Sequence, residues 1–195
     1  MKVIGISGSP VKDGNTETAV KAVLEGARVR GAEVEFVQLY GLDVAPCDGC
    51  DACVGGGGCV IDDEGKALME RVEEAQAIVF GTPIYWYTVS GVMKNLIDRT
   101  YYAFHHQAMA GKRVAAIMVQ HSSGADEALS LFTHWVNDQG CTTLEPVTVN
   151  TESKPGVVAR DTDLLRRLHH SAHGSRGGKQ PPSGDCHEGP AVQSQ

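Results

Sequence analysis

The stretch Lys2-Val3-Ile4-Gly5-Ile6-Ser7-Gly8-Ser9-Pro10-Val11-Lys12-Asp13-Gly14-Asn15-Thr16 decides the architecture. Its first six residues form a short apolar run ending at Ser7, which reads as a buried strand delivering the chain into a loop. From Asn15 to Arg30 the apolar residues Ala19, Val20, Val23, Leu24 and Ala27 recur at helical spacing, and Gly31 supplies a stop. One strand, one hydroxyl-rich loop and one helix therefore follow in immediate succession.

Working outward, the same unit repeats. Strands are predicted at Glu33–Leu39, Ala77–Gly81, Lys112–Gln120 and Thr143–Val149, the last broken by Pro146 and so suited to a sheet edge. Helical patterns begin at Asp63 and run over Val92–Phe104, Ala125–Asp138 and Asp161–His169. Alternation of this kind predicts an α/β fold, a doubly wound five-stranded parallel sheet with helices on both faces. The domain is expected over residues 1–168, with a long irregular loop at 41–62. Residues 169–195 carry too few apolar side chains to offset ordering entropy and read as a mobile tail. In that tail His169, His170, His173, Cys186 and His187 read as solvated residues rather than metal ligands.

The chain has 195 residues, 42% hydrophobic and 21% charged, which suits one domain with a full core. A formal charge of -7 argues against nucleic acid as a partner, since phosphate backbones are bound by clustered Lys and Arg. No apolar stretch reaches membrane-spanning length and no leader pattern opens the chain, so the expected location is the cytoplasm.

The loop after the first strand offers donors for a phosphate monoester: Ser7, Ser9, Asn15 and Thr16, at the amino end of a helix. Gly8 and Gly14 permit close backbone approach, and Pro10 stiffens the turn. Helix capping by Asn15 or Thr16 is the plainer use of the same residues. The loop has neither G-x-G-x-x-G nor the Gly-Lys-Ser/Thr of a nucleoside-triphosphate loop. Its S-G-S-P, short spacer and G-N-T resemble the NADPH-dependent FMN reductase and flavodoxin-like superfamily, where this loop surrounds the FMN phosphate. Val11 stands where relatives often carry Arg or Lys, with Lys12 next to it.

The segment Thr82-Pro83-Ile84-Tyr85-Trp86-Tyr87-Thr88-Val89-Ser90 follows the third strand, and three adjacent aromatics in a loop call for a flat cover. A subunit interface would also serve. The segment is similar to the superfamily's ring-binding stretch, and the resemblance implies that residues 82–87 line the flavin ring while Ser90 caps the next helix. His121, Ser122 and Gly124, after the fourth strand, lie at the same predicted edge; His121 is a candidate proton donor.

Four of the six cysteines fall within thirteen positions: Cys47, Cys50, Cys53 and Cys59, as C-x2-C-x2-C-x5-C. In a cytosolic chain such clustering points to metal or redox chemistry rather than a disulfide framework. Zinc sites usually pair two knuckles across a longer gap, whereas this run resembles the cluster ligation of bacterial ferredoxins. Reduced thiols or a Cys50/Cys53 redox pair are the alternatives. The motif is similar to that of the iron–sulfur flavoproteins, a branch of the same superfamily, which implies a 4Fe-4S cluster on the four cysteines. The resemblance further implies an FMN-dependent oxidoreductase taking electrons from ferredoxin or NAD(P)H, passing them to a quinone, an oxygen species or another small acceptor, and assembled as a homodimer or homotetramer. An NAD(P)H-dependent FMN or quinone reductase without a cluster, and a flavodoxin-like carrier, remain open.

Overall fold

In a computed structural model the structure is described for residues 1–171. The strands are β1 (Lys2–Ser7), β2 (Glu33–Gln38), β3 (Ala77–Pro83), β4 (Arg113–Gln120), β5 (Thr142–Thr143) and β6 (Val147–Asn150). All pair in parallel in the order β2-β1-β3-β4-β5, with β6 also on β4. The two last segments share one edge of β4: Arg113 and Val114 face Thr142 and Thr143, and Ile117 to Gln120 face Val147 to Asn150. They are the predicted fifth strand in two pieces, interrupted at Pro146, which has no N–H for the ladder.

Among the described residues seven helices cover the sheet: α1 (Asn15–Val29), α2 (Glu64–Glu74), α3 (Gly91–Arg99), α4 (Tyr101–His106), α5 (Ala125–Asp138), α6 (Val157–Arg160) and α7 (Thr162–Ser171). Alternation along each strand splits the core in two. Ile4, Ile6, Ile78, Phe80, Val114, Ala116 and Met118 face α2, α3, α4 and α5. Val3, Ala77, Val79, Ala115, Ile117 and Val119 face α1, α6 and α7. The expected doubly wound fold is therefore present.

Two boundaries differ from the sequence expectation. The helix predicted over 92–104 is two, meeting at Thr100, whose hydroxyl donates to the Ile97 carbonyl at 2.7 Å and accepts from Trp135 Nε1 at 2.9 Å. The closing helix runs over Thr162–Ser171, past the predicted end at His169, and Arg30 Nη1 donates to the His169 carbonyl at 2.9 Å, tying it to α1. The expectations for His173, Cys186, His187 and the rest of 172–195 lie outside the described residues. Among the described residues no helix is long and apolar enough to cross a membrane.

Candidate functional site

The chain leaves β1 for β2 on one side and returns past β1 to reach β3. The loops after β1 and β3 therefore diverge toward opposite faces, and a crevice opens between them at the carboxyl ends of the strands. There the structure has an open cleft of about 440 Å³.

Its floor is the loop from Gly8 to Gly14 and the start of α1. The Asn15, Thr16 and Glu17 amides have no hydrogen-bond acceptor among the described residues, which leaves three donors at the positive end of a helix. Glu17 keeps them free by reaching back: its carboxylate accepts the Asp13 amide at 2.6 Å and Lys21 Nζ at 2.5 Å. Burial works to raise the Glu17 pKa, but the Lys21 and Asp13 hydrogen bonds outweigh it and hold the carboxyl below its ordinary range. Ser9 lines the cleft, and its Oγ accepts the Val11 amide at 3.1 Å, so its own proton remains available to an anion. Ser7 is fully buried behind it, 3.5 Å from the Ser9 amide.

Several predicted site residues build the cleft without facing it. Thr82 and Ser90 are buried, and Ser90 Oγ accepts the Met93 amide at 3.4 Å as the α3 cap while donating to the Gly8 carbonyl at 2.7 Å. A side chain at Gly8 would bring its Cβ within 2.9 Å of that same Oγ, so the position needs glycine. The Asn15 side chain is committed elsewhere than to an anion: Nδ2 donates to the Lys154 carbonyl at 2.9 Å and Oδ1 accepts the Val158 amide at 3.2 Å.

Pro83, Ile84 and Tyr85 line the cleft beside the phosphate-type loop. Beyond them the chain doubles back: Tyr85 and Thr88 exchange backbone hydrogen bonds of 3.0 and 3.2 Å, with Trp86 at φ 49° and Tyr87 at φ 64° between them. A two-residue hairpin with both central residues at positive φ is ordinarily built from Asn-Gly. Here two bulky aromatics hold it, at a cost of about 1–3 kcal/mol each, and Trp86 is 92% exposed. Gly124, at φ 100°, packs against Ile84 and Tyr87, while Ser122 is exposed.

The opposite wall was not predicted. Gln120, Thr151, Ser153, Lys154 and Pro155 line the cleft with His121. His121 Nδ1 lies 2.8 Å from Ser153 Oγ, and Glu152 and Ser153 both take left-handed backbone angles to present that hydroxyl. The cation in the cleft wall is Lys154, ion-paired to Glu152 at 2.6 Å, rather than Lys12.

The four clustered cysteines are free. Cys47 and Cys50 are exposed, Cys53 and Cys59 half-buried. Burial raises the Cys53 pKa, and the neighbouring Cys59, Cys50 and Cys47 thiols add to the rise. Among the described residues no three His, Cys, Asp or Glu side chains stand in metal-binding geometry. A counter-charge lies beside the loop, since buried Arg99, at the end of α3, places Nε 3.2 Å from Cys59 Sγ. Gly56, Gly57 and Gly58 take φ values of 110°, 103° and 78°, conformations that favour glycine.

A parallel sheet in the order 2-1-3-4-5, with unpaired amides at a helix start and an aromatic hairpin at its switch point, defines a flavodoxin-like α/β protein. The sequence profile of the NADPH-dependent FMN reductase family matches residues 1–155, and the chain belongs to that family, in its iron–sulfur flavoprotein branch. An iron–sulfur flavoprotein of Methanosarcina thermophila is 34% identical over 143 residues, 72% of this chain and 75% of that protein. One from Methanocaldococcus jannaschii is 41% identical over 100 residues, 51% of this chain and 52% of that protein. The chain thus spans about half the length of several curated relatives it matches. Among solved structures, a flavone reductase superposes with TM-score 0.71 at 20% identity, over 88% of this chain and 60% of that one. An NADH:FMN oxidoreductase in its apo form gives 0.67 at 18%, over 88% and 86%. These two likenesses concern the fold alone.

Proposed function

We propose that the chain is an FMN-dependent oxidoreductase of the iron–sulfur flavoprotein type, with FMN in the cleft and a 4Fe-4S cluster on Cys47, Cys50, Cys53 and Cys59. The observation that carries the flavin assignment is that one cleft joins three unpaired amides at the start of α1 to the aromatic loop after β3. When bound, FMN supplies the ring that takes up and releases electrons, and the cluster supplies one-electron transfer.

The residues of the chain have separate tasks. The amides of residues 15–17 and the Ser9 hydroxyl hold a dianionic phosphate without a cation beneath it. Pro83, Ile84 and Tyr85 offer an apolar wall to the flavin ring and keep water from it. His121, fixed through Nδ1 by Ser153, keeps Nε2 available for a proton at the mouth of the cleft. The donor in this reading is ferredoxin or NAD(P)H and the acceptor is a quinone, an oxygen species or another small oxidant. The exposed Trp86 hairpin fits a homodimer or homotetramer.

The test is iron, sulfide and FMN analysis of protein prepared without air, for the natural chain and Cys53→Ala. The expected result is FMN in both, with iron and sulfide in the natural chain alone. Full flavin loading with no iron in the natural chain leaves the second reading, an NAD(P)H-dependent FMN or quinone reductase without a cluster. The absence of three-ligand convergence among the described cysteines favours that alternative.

A further inference from the structure

Asn15 opens α1 and faces two ways. Its backbone amide is one of the three donors of the cleft floor that have no acceptor among the described residues, while its side chain crosses to the opposite wall. Nδ2 donates to the Lys154 carbonyl at 2.9 Å and Oδ1 accepts the Val158 amide at 3.2 Å, 139 and 143 positions along the chain. Both ends of one carboxamide are thus spent on the segment that follows β6.

That segment is a turn under strain. Glu152 and Ser153 take φ values of 47° and 57°, a left-handed pair without glycine, ahead of Gly156 at 69°. Such angles persist in residues with side chains only where the surroundings over-determine them. On one side the end of β4 supplies the hold: the Thr151 amide and hydroxyl donate to the Gln120 carbonyl at 3.0 and 3.1 Å, and the Glu152 amide donates to the His121 carbonyl at 3.0 Å. On the other side Asn15 supplies it. Between these two anchorages the turn carries Ser153 Oγ, 2.8 Å from His121 Nδ1. A carboxamide offers a donor and an acceptor in one rigid plane; a carboxylate lacks the donor and a serine hydroxyl lacks the reach.

We propose that the Asn15 side chain is a positioning group for His121 and for the wall at 151–155: it does not bind the phosphate, but latches the turn so that Ser153 holds the imidazole at the cleft. This deepens, and rests on, the reading of the cleft as the flavin site.

The test compares the natural chain with Asn15→Ala and Ser153→Ala by two readouts. The first is 15N nuclear magnetic resonance of the neutral His121 ring in flavin-free protein, which gives the ratio of the two imidazole tautomers. Asn15→Ala is expected to move that ratio in the same direction as Ser153→Ala does; an unchanged ratio in either variant overturns the proposal. The second is fluorescence titration of flavin-free protein with FMN and with riboflavin. Asn15→Ala is expected to weaken both ligands at least about fivefold and by the same factor within about twofold, because both meet the wall and only the phosphate distinguishes them. A loss for FMN alone makes the side chain a phosphate ligand and overturns the proposal, as does undiminished affinity for both. If Asn15→Ala fails to fold, Asn15→Ser, too short to reach 154 and 158, takes its place with the same expectations. A natural chain that binds neither flavin contradicts the flavin reading instead, and the His121 ring then decides the latch by itself.

Discussion

Ser90 Oγ donates to the Gly8 carbonyl over 2.7 Å, joining the first residue of the phosphate-type loop to the cap of α3. The floor of the cleft and its aromatic wall come from segments 82 positions apart, and this bond between buried groups sets their spacing. Ser90→Ala removes the cap and leaves the Gly8 carbonyl unpaired. The expected loss is about 1–3 kcal/mol of stability, read by chemical denaturation, with weaker FMN binding. A variant as stable as the parent would show that the loops are spaced by something else.

Ser9→Asp places a carboxylate where the phosphate is to sit. Losing a donor to a charged group costs about 1.5–3 kcal/mol, and charge repulsion adds to it. FMN affinity is expected to fall at least about a hundredfold, roughly 2.7 kcal/mol, in a fluorescence titration of flavin-free protein. Undiminished affinity would move the phosphate to another loop.

The hairpin at Trp86 and Tyr87 stores backbone strain that contact with the flavin ring would justify. Replacing the pair by Asn-Gly relieves it. The flavin-free variant is expected to gain about 2–6 kcal/mol in thermal unfolding while binding FMN less tightly. A variant that gains stability and keeps full affinity would separate the hairpin from the ring.

How far the sequence carried this picture depended on whether the determinants were local. The β–α alternation and the Ser7 to Thr16 loop were legible because strand, turn and helix signals lie in consecutive residues. The break at Thr100 was not, since Gln139 and Trp135, on and just beyond α5, bond its hydroxyl. The same holds for the wall at 151–155: Asn15 reaches Lys154 and Val158 across 139 and 143 positions, and no local pattern announces such pairing. Arg99 looked like one more helix residue because its partners, at 45 and 59–63, are distant in sequence.

Asp63 and Cys141 give opposite responses to pH. Burial tends to raise the Asp63 pKa, but hydrogen bonds from Arg99, Lys66 and Ala45 overcome it and hold the carboxyl below its usual range. The folded value is thus depressed: its stabilisation is full above about pH 3.9 and fades as pH falls through the folded value. The stability difference between the natural chain and Asp63→Asn, about 3–5 kcal/mol near neutrality, should therefore shrink in acid denaturation. A difference constant down to pH 2 would contradict this. Burial pushes the Cys141 thiol up to about 11, so at pH 8 roughly one molecule in a thousand carries the thiolate. Iodoacetamide at that pH should leave Cys141 unmodified in the folded chain, as peptide mass spectrometry will show; rapid labelling would contradict its burial.

The comparison of FMN with riboflavin tests the central claim most directly, because the two ligands share the ring and differ only in the phosphate. Flavin-free protein should bind one FMN per chain at least about a hundredfold more tightly than riboflavin, the difference supplied by the α1 amides and Ser9. Equal affinity for the two, or no binding of either, would contradict the account.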